Sequence, residues 1–326
     1  MTIKCQQTGI KVLTIPALAA VFSVFMLGAC ERSEQAETVK QADKGDASSV
    51  STTAPPVVDI TVRDFTIETP AEIDTGWTTF RLDNQGEQTH FVVFYRMPDG
   101  KTIADQKAEV VPVFDSVMAA LDAGDIDVAA ANERLGQEIP EWYFGVQFRG
   151  GPGMIAPDGT SETTILLDEP GTYLAECYVK GPDGTFHTSM GMLSEFRVVE
   201  GDNTASEPPA NTDVTLSNSG IAMNRDVSAG QRTFRINFAE DPEGFLPYDV
   251  HLVRMHDGAD RDALVQWMNW MNSEGLRDPA PVEFIGGAEN TPAGRRAYVT
   301  VNLEPGRYAW ISEIDAENML VEFDVK

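Results

Sequence analysis

From Val57 onward the chain alternates between apolar and polar positions. Val57–Ile67 (VVDITVRDFTI) and Thr78–Asn84 (TTFRLDN) put an apolar side chain at nearly every second place, the period of a strand with one buried face. His90–Met97 (HFVVFYRM), Thr163–Leu167, Tyr173–Val179 and Leu193–Val199 predict further strands, with Cys177 near the end of its strand. Only Ala108–Asp125 and Asp127–Leu135 switch to a spacing of three and four, which predicts helices inserted between strands. Short strands set among 27 glycines and 19 prolines point to an all-β sandwich architecture.

The pattern then repeats. Thr79-Phe80-Arg81 returns as Thr233-Phe234-Arg235, and Arg96-Met97-x-Asp99-Gly100 as Arg254-Met255-x-Asp257-Gly258. Phe148-x-Gly150-Gly151 returns as Phe284-x-Gly286-Gly287, Pro170-Gly171-x-Tyr173 as Pro305-Gly306-x-Tyr308, and Met192-Leu193-x-Glu195-Phe196 as Met319-Leu320-x-Glu322-Phe323. The order is conserved throughout, so residues 57–200 and 213–326 are expected to be two copies of one sandwich, joined by a polar linker at 201–212. Within the second copy, Asp260–Asn272 sets Leu264, Trp267, Met268 and Met271 on one helical face, as expected of a helix packed on the sandwich.

The first 56 residues follow other rules. Lys4 and Lys11 precede an apolar run, Val12–Phe25, too short to span a bilayer, which is the layout of an export signal. It ends in Leu27-Gly28-Ala29-Cys30, which resembles a bacterial lipobox; that resemblance implies cleavage of residues 1–29 and a lipid anchor on Cys30. Residues 30–56 are polar, end in Pro55-Pro56, and are expected to form a disordered tether. The expected location is the periplasmic side of a bacterial cell envelope. Lys4 and Lys11 are the only charges before Cys30, so cleavage there moves the formal net charge from −27 to −29. Such a surface excludes nucleic acid as a partner. It suits a basic redox partner, such as a positively faced cytochrome, met under salt-dependent steering, and equally suits simple solubility in a saline habitat.

Charge and export sharpen the cysteine count. With Cys5 in the signal and Cys30 lipidated, Cys177 would be the one free thiol of an exported protein, where an exposed thiol is oxidised. Cys177 opens the series Cys-x9-His-x4-Met, with His187 and Met192. Thiolate, imidazole and thioether together suit copper better than magnesium or calcium, and a trigonal site of this type needs a second histidine. His90, on its alternating strand, is the candidate.

Asn84-x-Gly86-x3-His90-x-Val92-x-Phe94, Gly171-Thr172-Tyr173-x3-Cys177 and His187-x4-Met192 resemble the cupredoxins, the blue-copper family. The resemblance covers about residues 57–200. It implies tandem Greek-key β-sandwiches, each with a helical insertion, and one copper held by His90, Cys177, His187 and Met192. Met190 is a rival axial ligand, since His-x2-Met also occurs in the family. The nine residues between Cys177 and His187 exceed the two of small electron carriers. In the second copy Tyr248 stands at the place of His90 and Ser312 at that of Cys177, so no copper is expected there.

The resemblance implies one-electron transfer. Storage or delivery of copper in the envelope is the alternative, and a metal-free scaffold is a third reading. An enzyme is not expected. Cys177 lies between Glu176 and Tyr178, not the histidines that wire copper nitrite reductases and multicopper oxidases, and the chain has only four histidines. After His90 and His187, only His251 and His256 remain, flanking a strand-to-turn segment where they would form at most a surface site.

Overall fold

A computed structural model describes residues 53–326. The expected signal segment, Cys30 and most of the tether lie outside the described residues. The first half contributes β1 (Val57–Arg63), β2 (Thr66–Glu68), β3 (Glu72–Asp74), β4 (Gly76–Asn84), β5 (Val93–Arg96), β6 (Gln147–Gly150), β7 (Thr160–Leu167), β8 (Gly171–Glu176) and β9 (Leu193–Val199). The second half contributes β10 (Thr212–Ser217), β11 (Gly220–Met223), β12 (Gly230–Phe238), β13 (Val250–Arg254), β14 (Glu283–Ala288), β15 (Arg296–Leu303), β16 (Gly306–Ile311) and β17 (Leu320–Val325).

The alternation read from the sequence decides which side chains go inside. In β1, Ile60 and Val62 are fully buried while Asp59 and Arg63 are exposed. One sheet of the first half runs β3-β9-β8-β5-β6 and one sheet of the second runs β14-β13-β16-β17. Each packs on part of a shared sheet ordered β11-β10-β12-β15-β7-β4-β1-β2. Across the first sandwich Phe80 meets Phe94, with ring centroids 4.7 Å apart; across the second Phe234 meets Trp310 at 5.2 Å. All four are fully buried, and each contributes roughly 1.5–3 kcal/mol relative to an exposed position. The fold is all-β, two cupredoxin-like sandwiches in tandem.

The halves meet edge to edge. β7 pairs antiparallel with β15, with Thr163 opposite Val299 and Ile165 opposite Ala297. Thr163 lies four residues before Leu167, and Val299 four before Leu303, so equivalent residues face each other. Beside this seam the main chain of Gly153 crosses that of Gly287 so closely that a Cβ on Gly153 would sit 2.6 Å from the Gly287 Cα. Only glycine permits that approach.

Three local boundaries differ from the sequence reading. The helical insertion starts at Ile103, before Ala108, because Thr102 and Asp105 cap each other's backbone; the Asp105 carboxylate accepts the Thr102 N–H at 2.9 Å. A π-helical stretch, Gln106–Val110, then leads into the helix Val111–Asp122, where Pro112 is tolerated in the first turn. The next helix, Val128–Glu138, starts from an Asp127 cap. Finally, β5 begins at Val93, so His90 precedes the strand and pairs instead with Ile155 in an isolated bridge. Pro152, facing Val92, has no N–H with which to continue that ladder. β8 likewise stops at Glu176, leaving Cys177 just past the strand end.

Candidate metal centre

Three segments bring the expected donors to one point. His90 is fixed by reciprocal main-chain bonds with Ile155, 3.2 and 2.8 Å long. Cys177 follows β8, and its N–H donates to the Met192 carbonyl at 3.2 Å; the Met192 N–H donates to the His187 carbonyl at 2.9 Å. His90, Cys177, His187 and Met192 are all fully buried. The Cys177 Sγ lies 3.7 Å from Nδ1 of His90 and 3.7 Å from Nδ1 of His187, and the two Nδ1 atoms are 3.1 Å apart. Phe65 covers the His187 ring at a centroid distance of 5.0 Å.

The outer ring nitrogens explain why Nδ1 faces inward. Nε2 of His90 donates to Oδ1 of Asp64 at 2.7 Å, and Nε2 of His187 donates to Oε1 of Gln88 at 2.9 Å. A neutral imidazole carries one N–H, so each ring then presents an unprotonated Nδ1. Burial lowers the pKa of both histidines, that of His187 to about 3 with the nearby His90 adding to the shift, so neither is charged at neutral pH. For Asp64 the cost of burial is outweighed by the Glu87 N–H and by His90, which hold its carboxyl below the usual range. Gly86 leaves room for the pair: a Cβ there would overlap Asp64 Oδ1 and sit 2.9 Å from His90 Nε2.

This arrangement fits a cation. Two lone pairs 3.1 Å apart with no proton between them repel, and the single thiol hydrogen can serve only one of them. Burial pushes the Cys177 thiol up to about 12, while the main-chain N–H groups of Phe91 and Val179 point at the sulfur and oppose that shift. A bound ion would stabilise the thiolate those amides are aimed at. Two imidazoles and a thiolate form a soft-to-intermediate set, and the metal they suit is copper; Met192 is buried and bonded through its main chain to both Cys177 and His187. Met190, by contrast, is half-buried with its terminal methyl against Gly181.

The second half lacks this set. Tyr248 donates its hydroxyl to Asn218 at 3.0 Å, and Ser312 donates to Asp249. Leu264, Trp267, Met268 and Met271 are buried, but the helix runs only over Arg261–Trp267 and not to Asn272, so Met268 and Met271 lie beyond its end. One expectation is corrected: His251 belongs to no surface pair. It lies in the middle of the sheet on β13, flanked by β14 and β16, and is fully buried, while His256 is exposed. The sequence carried no sign of Asp64, 26 residues before His90, and none of Gln88 beyond its place two residues before His90; these two side chains orient the rings.

Fold and donor set together give a cupredoxin-like sandwich with a candidate copper site. Among solved structures, the chain is similar to a reduced auracyanin from Roseiflexus castenholzii, with 19% identity over 45% of this chain and 98% of that one and a TM-score of 0.24. It is also similar to auracyanin A, a "blue" copper protein of Chloroflexus aurantiacus (18% identity, 44% and 99% covered, TM-score 0.26). A blue copper oxidase from Nitrosomonas europaea matches over 84% of this chain and 86% of that one, at 13% identity and a TM-score of 0.24. No protein-family model matches the chain, and no curated protein does. At TM-scores this low the likenesses add no weight to what the topology and donors establish.

Proposed function

We propose that this protein is an envelope cupredoxin, lipid-anchored through Cys30, that holds one copper in its first sandwich and passes single electrons. His90, Cys177 and His187 would be the strong ligands and Met192 the weak axial one. The observation that carries the reading is the convergence of two unprotonated Nδ1 atoms and a buried Sγ on one point. Copper so held supplies a one-electron couple; the chain's part is to fix the ligands, exclude water and present an acidic surface to a basic partner.

The long loop favours transfer over delivery. Gly181 N–H donates to the Thr185 carbonyl at 2.9 Å, and the buried Lys180 ammonium donates to the carbonyls of Trp270 and Asn272 at 2.9 and 2.8 Å. The loop is thus pinned to the second half, and a frame that does not rearrange suits electron exchange. Catalysis of the oxidase or nitrite reductase kind is not part of the proposal. The two remaining histidines do not share a site, His251 being buried and His256 exposed. Among the described residues no helix is long and apolar enough to cross a membrane.

The test is a visible spectrum of the copper-loaded chain. An intense thiolate-to-copper band with reversible one-electron cycling is expected, and Cys177→Ser should abolish the band without unfolding. A chain that takes up no copper refutes the proposal, and copper released readily to a mild chelator would support delivery instead. Mass spectrometry should find the mature chain starting at an acylated Cys30; an N-terminus upstream of it would refute the anchor.

A further inference from the structure

A second group of metal-ligating side chains lies in the other half, away from the copper donors. Asp249, His251 and Glu313 each offer a donor atom, and the three atoms lie within 4.8 Å of one another. Asp249 and His251 are fully buried and Glu313 is 5% exposed. Glu289, also fully buried, has an oxygen 3.8 Å from His251 Nδ1.

As hydrogen-bonded core these residues are badly served. Neither carboxylate oxygen of Glu289 has a hydrogen-bond partner, nor has Oε1 of Glu313. Leaving a buried polar group unpaired is costly, and an unexplained one calls for a ligand. The rest of the cluster is held firmly. Oδ1 of Asp249 accepts from the Ser312 hydroxyl and from the Glu313 N–H at 2.9 Å, and Oδ2 faces His251 Nε2 at 3.1 Å. The other oxygen of Glu313 accepts from the Tyr178 hydroxyl at 3.2 Å.

We infer that Asp249, His251 and Glu313 form a second metal site, for a borderline-to-hard divalent cation such as Zn2+, with Glu289 orienting the histidine. One imidazole and two carboxylates without sulfur select such an ion over Cu(I). His251 Nδ1 accepts the Met154 N–H at 3.1 Å, so the ring proton sits on Nε2, on Asp249. In the ion-bound form that proton moves to Nδ1, Nε2 turns its lone pair to the ion, and Oε1 of Glu289 closes from 3.8 Å to accept the Nδ1 proton. The Met154 amide loses its acceptor in exchange. A carboxylate behind the free nitrogen of a metal-bound histidine is the usual arrangement.

The site adjoins the copper loop at Tyr178. Tyr178, whose hydroxyl touches Glu313, directly follows Cys177. An ion here would fix the carboxylate that holds that tyrosine.

The experiment is Zn2+ titration by calorimetry of the full chain in detergent, in wild type whose first centre is already filled with copper and in Cys177→Ser, where the copper thiolate is gone. Both should bind one tight equivalent. Glu313→Gln should weaken it at least 100-fold, and Glu289→Gln by about 10- to 100-fold. Both replacements keep the side-chain shape, and circular dichroism checks the fold. Absence of tight Zn2+ binding overturns the inference. So does binding that vanishes in Cys177→Ser, which would put the ion at the first centre. Binding unchanged in both Glu variants would place it among surface carboxylates and overturn it as well.

Discussion

Replacing Asp64 by Asn tests the reasoning about ring protons most directly. The two carboxylate oxygens have separate duties: Oδ1 accepts from His90 Nε2 at 2.7 Å, and Oδ2 accepts from the Glu87 N–H at 3.0 Å. Asparagine has one oxygen, so one of these bonds must be lost. If the amide oxygen keeps the Glu87 N–H, the NH2 group faces His90 and forces Nε2 to become an acceptor. The ring proton then moves to Nδ1, into the copper position. If the oxygen keeps His90, an N–H faces an N–H at Glu87. Either loss involves a charge-assisted bond of about 1.5–3 kcal/mol, equivalent to roughly 10- to 100-fold in copper affinity. The lost negative charge weakens Cu(II) more than Cu(I), so the reduction potential should rise, by at most about 59 mV per tenfold of that difference. Competition titration against a chelator reads the first effect and voltammetry the second. A folded Asp64→Asn chain with affinity within threefold of wild type and an unshifted potential would refute the assignment of Nδ1 as ligand.

Three further outcomes are expected. Gly86→Ala should weaken copper binding at least tenfold, because the new Cβ overlaps Asp64 Oδ1 and crowds His90 Nε2; a chelator titration equal to wild type would contradict this. In the metal-free protein His187 has its pKa depressed from 6.5 to about 3, so its contribution to stability is complete above pH 6.5 and is lost as the pH falls toward 3. At about 1.4 kcal/mol per unit the loss reaches roughly 4–5 kcal/mol, and urea unfolding should show it, with a flatter pH slope in His187→Gln. Met192→Leu should move the potential with little change in affinity while Met190→Leu moves neither, and the reverse pattern in voltammetry would reassign the axial ligand.

Much of the fold was legible because strands announce themselves locally. The alternation in Val57–Arg63 and the paired Thr-Phe-Arg motifs identify buried faces without knowledge of the partner strand. Three of the proposed copper donors could be read together for a similar reason: Cys177, His187 and Met192 follow one another along a single loop. Illegible were the features that depend on distant chain meeting distant chain. Asp64 lies 26 residues from His90 and gains its role only when the two segments close over Gly86. His251 and His256 read as flanking a strand-to-turn segment, because nothing local in Val250–Arg254 separates a surface strand from a central one. Its burial between β14 and β16 comes from pairing with residues some 35 and 60 positions away. Glu289 and Glu313 read as ordinary acids of an acidic chain until the sandwich enclosed them.

The seam between β7 and β15 joins equivalent strands antiparallel, with equivalent residues opposite one another at its centre. That is the symmetry of an isologous contact between two identical subunits, here enclosed in one polypeptide. Two copies encoded by a single unfused sequence would have to carry the same residues on both sides of the contact. Any change that removed copper ligands from one would remove them from the other. Fusion lifts that constraint: the second copy could replace imidazole and thiolate by Tyr248 and Ser312 while the first kept its donors. It also means that neither copy, cut free, would retain its neighbour at this edge. Each would expose an eight-residue strand with its main-chain donors and acceptors open to any other chain that met it.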